Sequence, residues 1–341
     1  MSKNIVVCYD GTNAEYRRHN TNVVKTFETI IRNDRQVAFY DPGVGTFSFF
    51  GRRFGRLVGI GLGMGFGYGI RQNIEDGYEY LMDTFEPKDR VFIFGFSRGA
   101  YTARALAGMI HQFGVLHKGS RNLIPYVSKM YFKKDKKKDF GIIDGFQKTF
   151  SNVCKPHFIG IWDTVGALGP NLSKRFPDLK LNPDIKYGFQ AISIDEKRRP
   201  YKIVLWDESS KAARQVIEQV WFAGVHSEVG GGCSCNGCSL ADIPFAWMMD
   251  KATKSGLMLK DGWRDNLNQD NGKSASMHDS CKVFPWVIFG MRKRREVPEG
   301  AMVHQSVIDR IEKRDDYNPE LPNTRRIVTT DSYRTASEGG N

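Results

Sequence analysis

The sequence predicts an α/β fold built on one mostly parallel sheet with helices on both faces. Three observations carry that prediction. Short apolar, β-branched or aromatic runs alternate with longer helix-periodic segments along most of the chain. No internal repeat interrupts the alternation. One apolar run, RVFIFGF at 90–96, passes through a Gly-Phe-Ser-Arg-Gly turn straight into an Ala-rich segment.

In chain order, strands are expected at 4–9 (NIVVCY), 36–41 (QVAFYD), 90–96, 157–163 (HFIGIWD) and 219–225 (QVWFAGV). Helices are expected at 21–33, 71–85, 98–112, near 184–194 and at 240–255. In 71–85, Ile74, Tyr78, Leu81, Met82 and Phe85 fall on one helical face, which should pack on the sheet. The Gly-rich stretch 43–69 and the basic run KKDKKKD at 133–139 read as insertions between core elements. The economical organisation is one domain over 1–310, with insertions at about 43–70 and 118–150. A C-terminal extension over 311–341 follows, its end disordered.

Composition removes several classes of function. With 50 Lys plus Arg against 38 Asp plus Glu the net charge is +12, and 40% of residues are hydrophobic, a globular balance. The start, Met1-Ser-Lys-Asn, leads into a strand rather than an export signal. The most apolar window, Leu57–Ile70, is broken by glycine at alternate positions and is too short to span a bilayer. The chain is therefore expected to be cytoplasmic at synthesis, then either membrane-associated or exported by a signal-independent system. Six cysteines in 341 residues do not suggest a disulfide scaffold.

The chemistry concentrates at Gly95-Phe-Ser97-Arg98-Gly99. A strand running into G-x-S-x-G and then into a helix is the context of a nucleophile elbow, in which Gly95 and Gly99 make room for the sharp turn that lifts the Ser97 hydroxyl. The amide at Arg98, on the helix N-terminus, is placed to stabilise an oxyanion. A serine nucleophile needs a base and an orienting acid, drawn from the ends of later strands in the order Ser, Asp, His. Asp163 follows the run ending in Trp162, and His226 follows Trp221-Phe-Ala-Gly-Val225. His304 and His278 are alternative bases, though neither follows a clear strand. Gly11 and Thr12, at the end of the first strand, occupy the position that supplies a second oxyanion amide.

Seven motifs then occur in order: Asp10-Gly-Thr, Gly43-Val-Gly-Thr46, Gly95-Phe-Ser-Arg-Gly-Ala100, Trp162-Asp-Thr-Val165, Ser193-Ile-Asp-Glu-Lys-Arg-Arg199, Trp221-Phe-Ala-Gly-Val-His-Ser227 with Gly230-Gly-Gly232, and Val303-His-Gln-Ser-Val307. Over roughly 4–310 the chain resembles an α/β-hydrolase family similar to the catalytic domain of type VI secretion phospholipase effectors, with relatives in fungi and bacteria. The resemblance implies a cofactor-independent Ser-His-Asp esterase acting on lipid esters, chiefly phospholipids. Ser97 and Asp163 carry over to its motifs, whereas His226 and His304 both sit in family-like motifs. The chain departs from the family at Glu228, where Asp is usual, at Cys233, where an aromatic is usual, and at Gln190, where His is frequent.

Other signals are weaker. Cys233-Ser-Cys235-Asn-Gly-Cys238 lacks an adjacent fourth ligand, so no metal is expected and a small-residue loop is the better reading. The basic excess, at Arg52-Arg53, Arg56, Lys133–Lys138, Lys197–Arg199 and Arg292–Arg295, suits an anionic membrane surface. No nucleic-acid-binding signature accompanies it. Phe47–Val58 mixes aromatics and arginines as an interfacial lid would. Two alternatives to a lipid hydrolase are a non-catalytic membrane- or partner-binding protein on the same scaffold, and an esterase of small soluble substrates.

Overall fold

The computed structural model describes residues 2–11, 16, 19–43, 63–133, 139–166, 182–233, 238–265, 267, 275, 277 and 293–329. Its centre is an eight-stranded sheet made of β1 (Asn4–Tyr9), β2 (Gln36–Asp41), β3 (Arg90–Phe96), β6 (Phe158–Trp162), β7 (Tyr187–Ser193), β8 (Val216–Phe222), β9 (Ala301–His304) and β10 (Arg325–Val328). A separate two-stranded pair joins β4 (Val115–Leu116) and β5 (Ser151–Asn152). The large sheet has the order β10-β9-β8-β7-β6-β3-β1-β2, and every neighbouring pair is parallel. The chain winds outward from β1 in both directions, so the order reverses between β1 and β3. Open parallel sheets bind ligands at such a reversal, beyond the carboxyl ends of the strands.

Strands covered on both faces are apolar without alternation, and this explains the unbroken runs in β1, β3 and β6. Ile5, Val7 and Tyr9 face one layer, with α2 (63–84) and α3 (Arg98–Phe113). Val6 and Cys8 face the other, with α1 (Asn22–Thr29) and α7 (Asp242–Lys254). Thr21 caps α1 by accepting from the Val24 amide. The predicted face of α2 is buried: Ile74, Tyr78 and Leu81 are inaccessible to solvent. That helix begins at 63, inside the segment expected to be an insertion, while α4 (Ile124–Tyr131) and α5 (Phe140–Phe150) occupy the second expected insertion.

The structure corrects the sequence reading in three places. Residues 187–193 form β7, not a helix. Gln190 interrupts the apolar run there, yet it is fully buried because Thr164 donates to its Oε1 at 2.9 Å and its Nε2 donates to the Val204 carbonyl at 3.2 Å. Second, β8 begins earlier than expected, which leaves Ala223-Gly-Val225 as the connection to the next helix. Third, α8 (Gln305–Lys313) leads to β10, which pairs with β9, so the sheet continues past residue 310. The Gly-rich and aromatic segment 44–62, including Phe47–Val58, lies outside the described residues.

The junction of β3 and α3 is tight. A methyl group on Gly95 would lie 2.6 Å from the Gly99 carbonyl oxygen, and one on Gly99 would lie 2.2 Å from the carbonyl oxygen of Tyr9. The helix can start where it does only if its first turn presses on β1 without a side chain between them. Gly99→Ala is accordingly expected to destabilise the fold by about 1–3 kcal/mol or more, the range for overpacking a close-packed site. Urea unfolding measures this, and wild-type stability in the variant would refute the packing account.

Candidate active site

Ser97 sits between the last residue of β3 and the first of α3, with φ 58° and ψ −119°, a backbone conformation that non-glycine residues rarely adopt. Its amide donates to the Trp162 carbonyl at 3.0 Å, which ties the turn to the end of β6. Asp163 directly follows β6, also with positive φ, 42°, and its amide donates to Ala191 of β7 at 2.8 Å. His226 opens α6 (His226–Gly230) beyond β8. The Val225 amide donates to the Glu228 carboxylate at 2.9 Å, fixing the angle at which the chain enters that short helix.

These placements bring the three side chains into one hydrogen-bonded chain. Ser97 Oγ lies 2.7 Å from His226 Nε2, and His226 Nδ1 lies 2.5 Å from Asp163 Oδ2. All three residues are buried. An ionised Asp163 makes Nδ1 the proton-bearing nitrogen, which leaves Nε2 to accept from the serine hydroxyl. The electrostatics agree with that assignment. Burial opposes the charge on Asp163, but Arg295 and His226 outweigh it and hold the carboxyl below the ordinary carboxylate range. Burial pushes the His226 imidazole below its ordinary value of 6.5 despite the bond to Asp163. Carboxylate beside neutral imidazole is therefore the resting state, and such a chain can draw a proton from a serine hydroxyl.

The imidazole is packed as well as bonded. Phe96 lies 4.7 Å from it, centroid to centroid, and Tyr201 meets it edge-on at 4.9 Å. Arg198 stacks 3.6 Å over the Tyr201 ring and makes a two-pronged ion pair with Glu196, which accepts the His226 backbone amide at 3.3 Å. The motif 193–201 thus acts as a collar around the histidine.

The other sequence-predicted residues fall into place unevenly. His304 ends β9 fully buried, with Nδ1 2.9 Å from Ser306 Oγ and its ring stacked 4.8 Å from Phe222, and burial lowers its imidazole to about 3. Ser306 of α8 and Phe222 of β8 thus hold its ring. His278 and Thr12 lie outside the described residues. Gly11 is beside the serine, since a methyl on Gly11 would be 3.5 Å from Ser97 Cβ, but its amide donates to Asp10 Oδ1 at 2.6 Å. Asp10 is itself held by the Thr21 and Tyr40 hydroxyls at 2.6 and 2.9 Å, and burial raises it to about 6. Arg98 is the first residue of the sixteen-residue α3, where backbone amides lack helical partners and the helix dipole favours negative charge.

One residue of the site was not singled out from sequence. Arg295 donates through Nη1 to Asp163 Oδ1 at 2.5 Å and through Nη2 to Asp163 Oδ2 at 3.0 Å. The same guanidinium bonds the Ser193 carbonyl and hydroxyl at 3.0 and 2.6 Å and the Tyr201 carbonyl at 2.7 Å. In sequence it is the last of the four bases Arg292–Arg295, a run that reads as part of the basic surface, and no strand or helix signal marks it. Of the cysteine loop, Cys233 is buried and Cys235 lies outside the described residues, among which no cluster of three His, Cys, Asp or Glu could hold a metal. Lys134–Lys138, Arg52, Arg53, Arg56 and Arg292 also lie outside them, and no helix among the described residues is long and apolar enough to cross a membrane.

The sequence model of the type VI secretion system phospholipase effector Tle1-like catalytic domain matches residues 3–251. The uncharacterized protein YEL023C of Saccharomyces cerevisiae is 32% identical over 219 residues, covering 59% of this chain and 32% of the yeast protein. The chain thus spans about a third of the length of that curated relative. Among solved structures, an uncharacterized Pseudomonas aeruginosa protein aligns with TM-score 0.45 and 18% identity over 80% of this chain and 48% of its own. The Tle1 effector bound to the VgrG spike of the type 6 secretion system aligns with TM-score 0.42 and 16% identity over 67% of this chain and 51% of its own.

Breaking a buried ion pair by removing one partner leaves the other charge uncompensated, typically at a cost of about 3–5 kcal/mol. Asp163→Asn should therefore destabilise the protein by about that amount at pH 7. The Asp163 carboxyl is held below its unfolded value, so the stability it confers is full above that value and is lost as pH falls through the lower folded one. The gap between wild type and Asp163→Asn in urea unfolding should narrow as pH drops below about 4. A gap that stays constant with pH would contradict this origin.

Proposed function

The chain belongs to the family of type VI secretion system Tle1-like phospholipase effector catalytic domains, and we propose that it is a serine hydrolase that cleaves carboxylic esters of lipids, most directly phospholipids. The single observation that carries the reading is the chain of short bonds from Ser97 through His226 to Asp163, set on a strained strand-to-helix turn. Ser97 Oγ attacks the ester carbonyl carbon while His226 Nε2 takes its proton. Asp163 keeps the imidazole in the required tautomer and stabilises the imidazolium that forms. The negative charge on the carbonyl oxygen meets the amide of Arg98 at the N-terminus of α3, with backbone after β1, at Gly11 and Thr12, as the second donor. Collapse expels the alcohol, protonated by His226, and leaves an acyl group on Ser97. Water, deprotonated by the same imidazole, then releases the acid. No step requires a metal or cofactor.

The lipid part of the reading rests on the family, and the +12 charge supports work at an anionic interface. For the Gly11 amide to serve the oxyanion it must exchange its bond to the Asp10 carboxylate for one to substrate. The Arg98 amide lies in the first turn of α3, where the helix dipole favours the developing negative charge.

Three measurements on purified protein test the proposal. Mixed phosphatidylcholine and phosphatidylglycerol vesicles, beside a short-chain nitrophenyl ester, should be hydrolysed by wild type and not detectably by Ser97→Ala, a loss of at least about four orders of magnitude in kcat. Activity on the soluble ester alone would favour a small-substrate esterase, and a folded protein inert on both would favour a binding role. Because His226 must be neutral to accept a proton and burial holds it below its ordinary value, kcat/KM should fall only as pH drops below 6.5. An acid limb centred above 7 would contradict the assignment. His304→Phe should keep kcat within about threefold, while His226→Gln should lose it as Ser97→Ala does. The opposite pattern would move the base to His304.

A further inference from the structure

We propose that Arg295 is a positioning residue of the reaction: its two-pronged grip on Asp163 holds that carboxylate ionised and aimed at His226, and keeps the imidazole proton-free so that it can act as the base. The inference rests on the Ser97–His226–Asp163 reading and adds to it a residue from outside the strand ends. Orienting a triad acid needs no arginine in principle, since backbone amides commonly suffice. Here Asp163 receives one backbone amide at its oxygens, that of Ser193, at 2.9 Å to Oδ1. Oδ2 accepts from His226 and from Arg295 Nη2, and Oδ1 accepts from Ser193 and Arg295 Nη1. The guanidinium therefore supplies two of four donors and defines the plane of the carboxylate.

The anchorage of Arg295 is independent of Asp163. Its bonds to Ser193 and to the Tyr201 carbonyl fix it to the end of β7 and to the collar that packs on His226. The Lys293 amide donates to the Lys197 carbonyl at 2.8 Å and lays the arginine's segment along that collar. The side chain is 6% exposed. A cation so anchored is a fixed part of the site rather than a counterion that arrives from solvent.

The sign of its effect follows from Coulomb's law. The other charged and titratable groups facing the His226–Asp163 pair are Glu196 and Arg198, bound to each other, with Tyr201 between Arg198 and the imidazole and Arg98 beside Tyr201. Glu196 and Arg198 oppose one another at His226. Among the described residues Arg295 alone adds an uncompensated positive charge to the carboxylate, and so disfavours any added proton, whether that proton would sit on Asp163 or on His226. Removing the charge should let the pair take up a proton at higher pH, and this holds whichever residue receives it.

The test uses Arg295→Gln, which removes the charge, and Arg295→Lys, which keeps the charge but cannot hold both carboxylate oxygens in one plane. On a soluble nitrophenyl ester, Arg295→Gln should move the acid limb of kcat/KM to higher pH by at least about one unit. Arg295→Lys should leave the limb in place and lower kcat about tenfold or more with KM unchanged. A folded Arg295→Gln with the wild-type limb and kcat overturns the proposal. If that variant does not fold, Arg295→Lys decides, and wild-type kcat in it is the overturning result. A second readout needs no turnover: in protein labelled with nitrogen-15 at histidine, the His226 resonance, identified by its loss in His226→Gln, should titrate at higher pH in Arg295→Gln. Without that shift the proposal fails even if activity changes. If the shift is present while wild type hydrolyses nothing, the hydrolase reading fails and with it Arg295's role in a reaction, and only its hold on the charge of the His226–Asp163 pair stands.

Discussion

A negative charge buried at the end of a central strand has to be answered from several directions at once, and the Asp163 carboxylate imposes that requirement on the rest of the site. Desolvation alone would drive the proton back onto it. What prevents this is convergence: the end of β7 supplies an amide, the helix after β8 supplies an imidazole, and the segment before β9 supplies a guanidinium. Each donor comes from a different part of the chain, at or beyond the ends of β7 and β8 and before β9, so the carboxylate is satisfied only when these strands and β6 are in place. Positive φ at Asp163 is tolerated because those bonds over-determine where its side chain must go.

The sheet topology places the reacting hydroxyl where those crossovers can meet. With β1 and β3 adjacent at the reversal of strand order, the turn after β3 stands at the open crevice, and the first turn of α3 leans on β1 through Gly99. The same contact sets the turn after β1 beside Ser97. In the proposed reaction the histidine reaches the serine across β6 and β7, and the oxyanion amides come from β1 and α3.

Much of this was legible in the sequence for a simple reason: parallel strands buried on both faces have to be continuous apolar runs, as β1, β3 and β6 are, and the less fully buried β2 and β8 carry enough apolar residues to stand out with them. β7 did not, because its centre carries Gln190, whose burial depends on Thr164 and Val204, partners no local pattern reveals. β9 and β10 are short and lie toward an exposed sheet edge, so their runs carry little apolar signal. Ser97, Asp163 and His226 could be named because each follows, directly or within a few residues, a strand that was itself recognisable. His226 follows a run legible as a strand and His304 does not; in the structure His226 bonds Ser97 and Asp163, whereas His304 packs on Phe222 and bonds Ser306. Arg295 was hidden by its neighbours: a buried guanidinium at the end of an Arg-Lys-Arg-Arg run looks like any exposed base.

The charge balance also says where the difficulty of the proposed reaction would lie. An unpaired carboxylate would stabilise a developing imidazolium strongly, but Arg295 already engages this one through both oxygens. His226 is then a weaker base than it would be beside a free aspartate, available at lower pH but gaining less when it takes the serine proton. The deficit has to be made up on the other charge formed in the same step, the oxyanion, which faces the N-terminus of the sixteen-residue α3. A helix start pressed to within van der Waals contact of β1, with no side chain to hold it off, is a rigid donor that needs no reorganisation as that charge appears. The close packing at Gly99 and the ion pair at Asp163 thus belong to one electrostatic arrangement, in which a restrained base is matched to a preformed acceptor of negative charge.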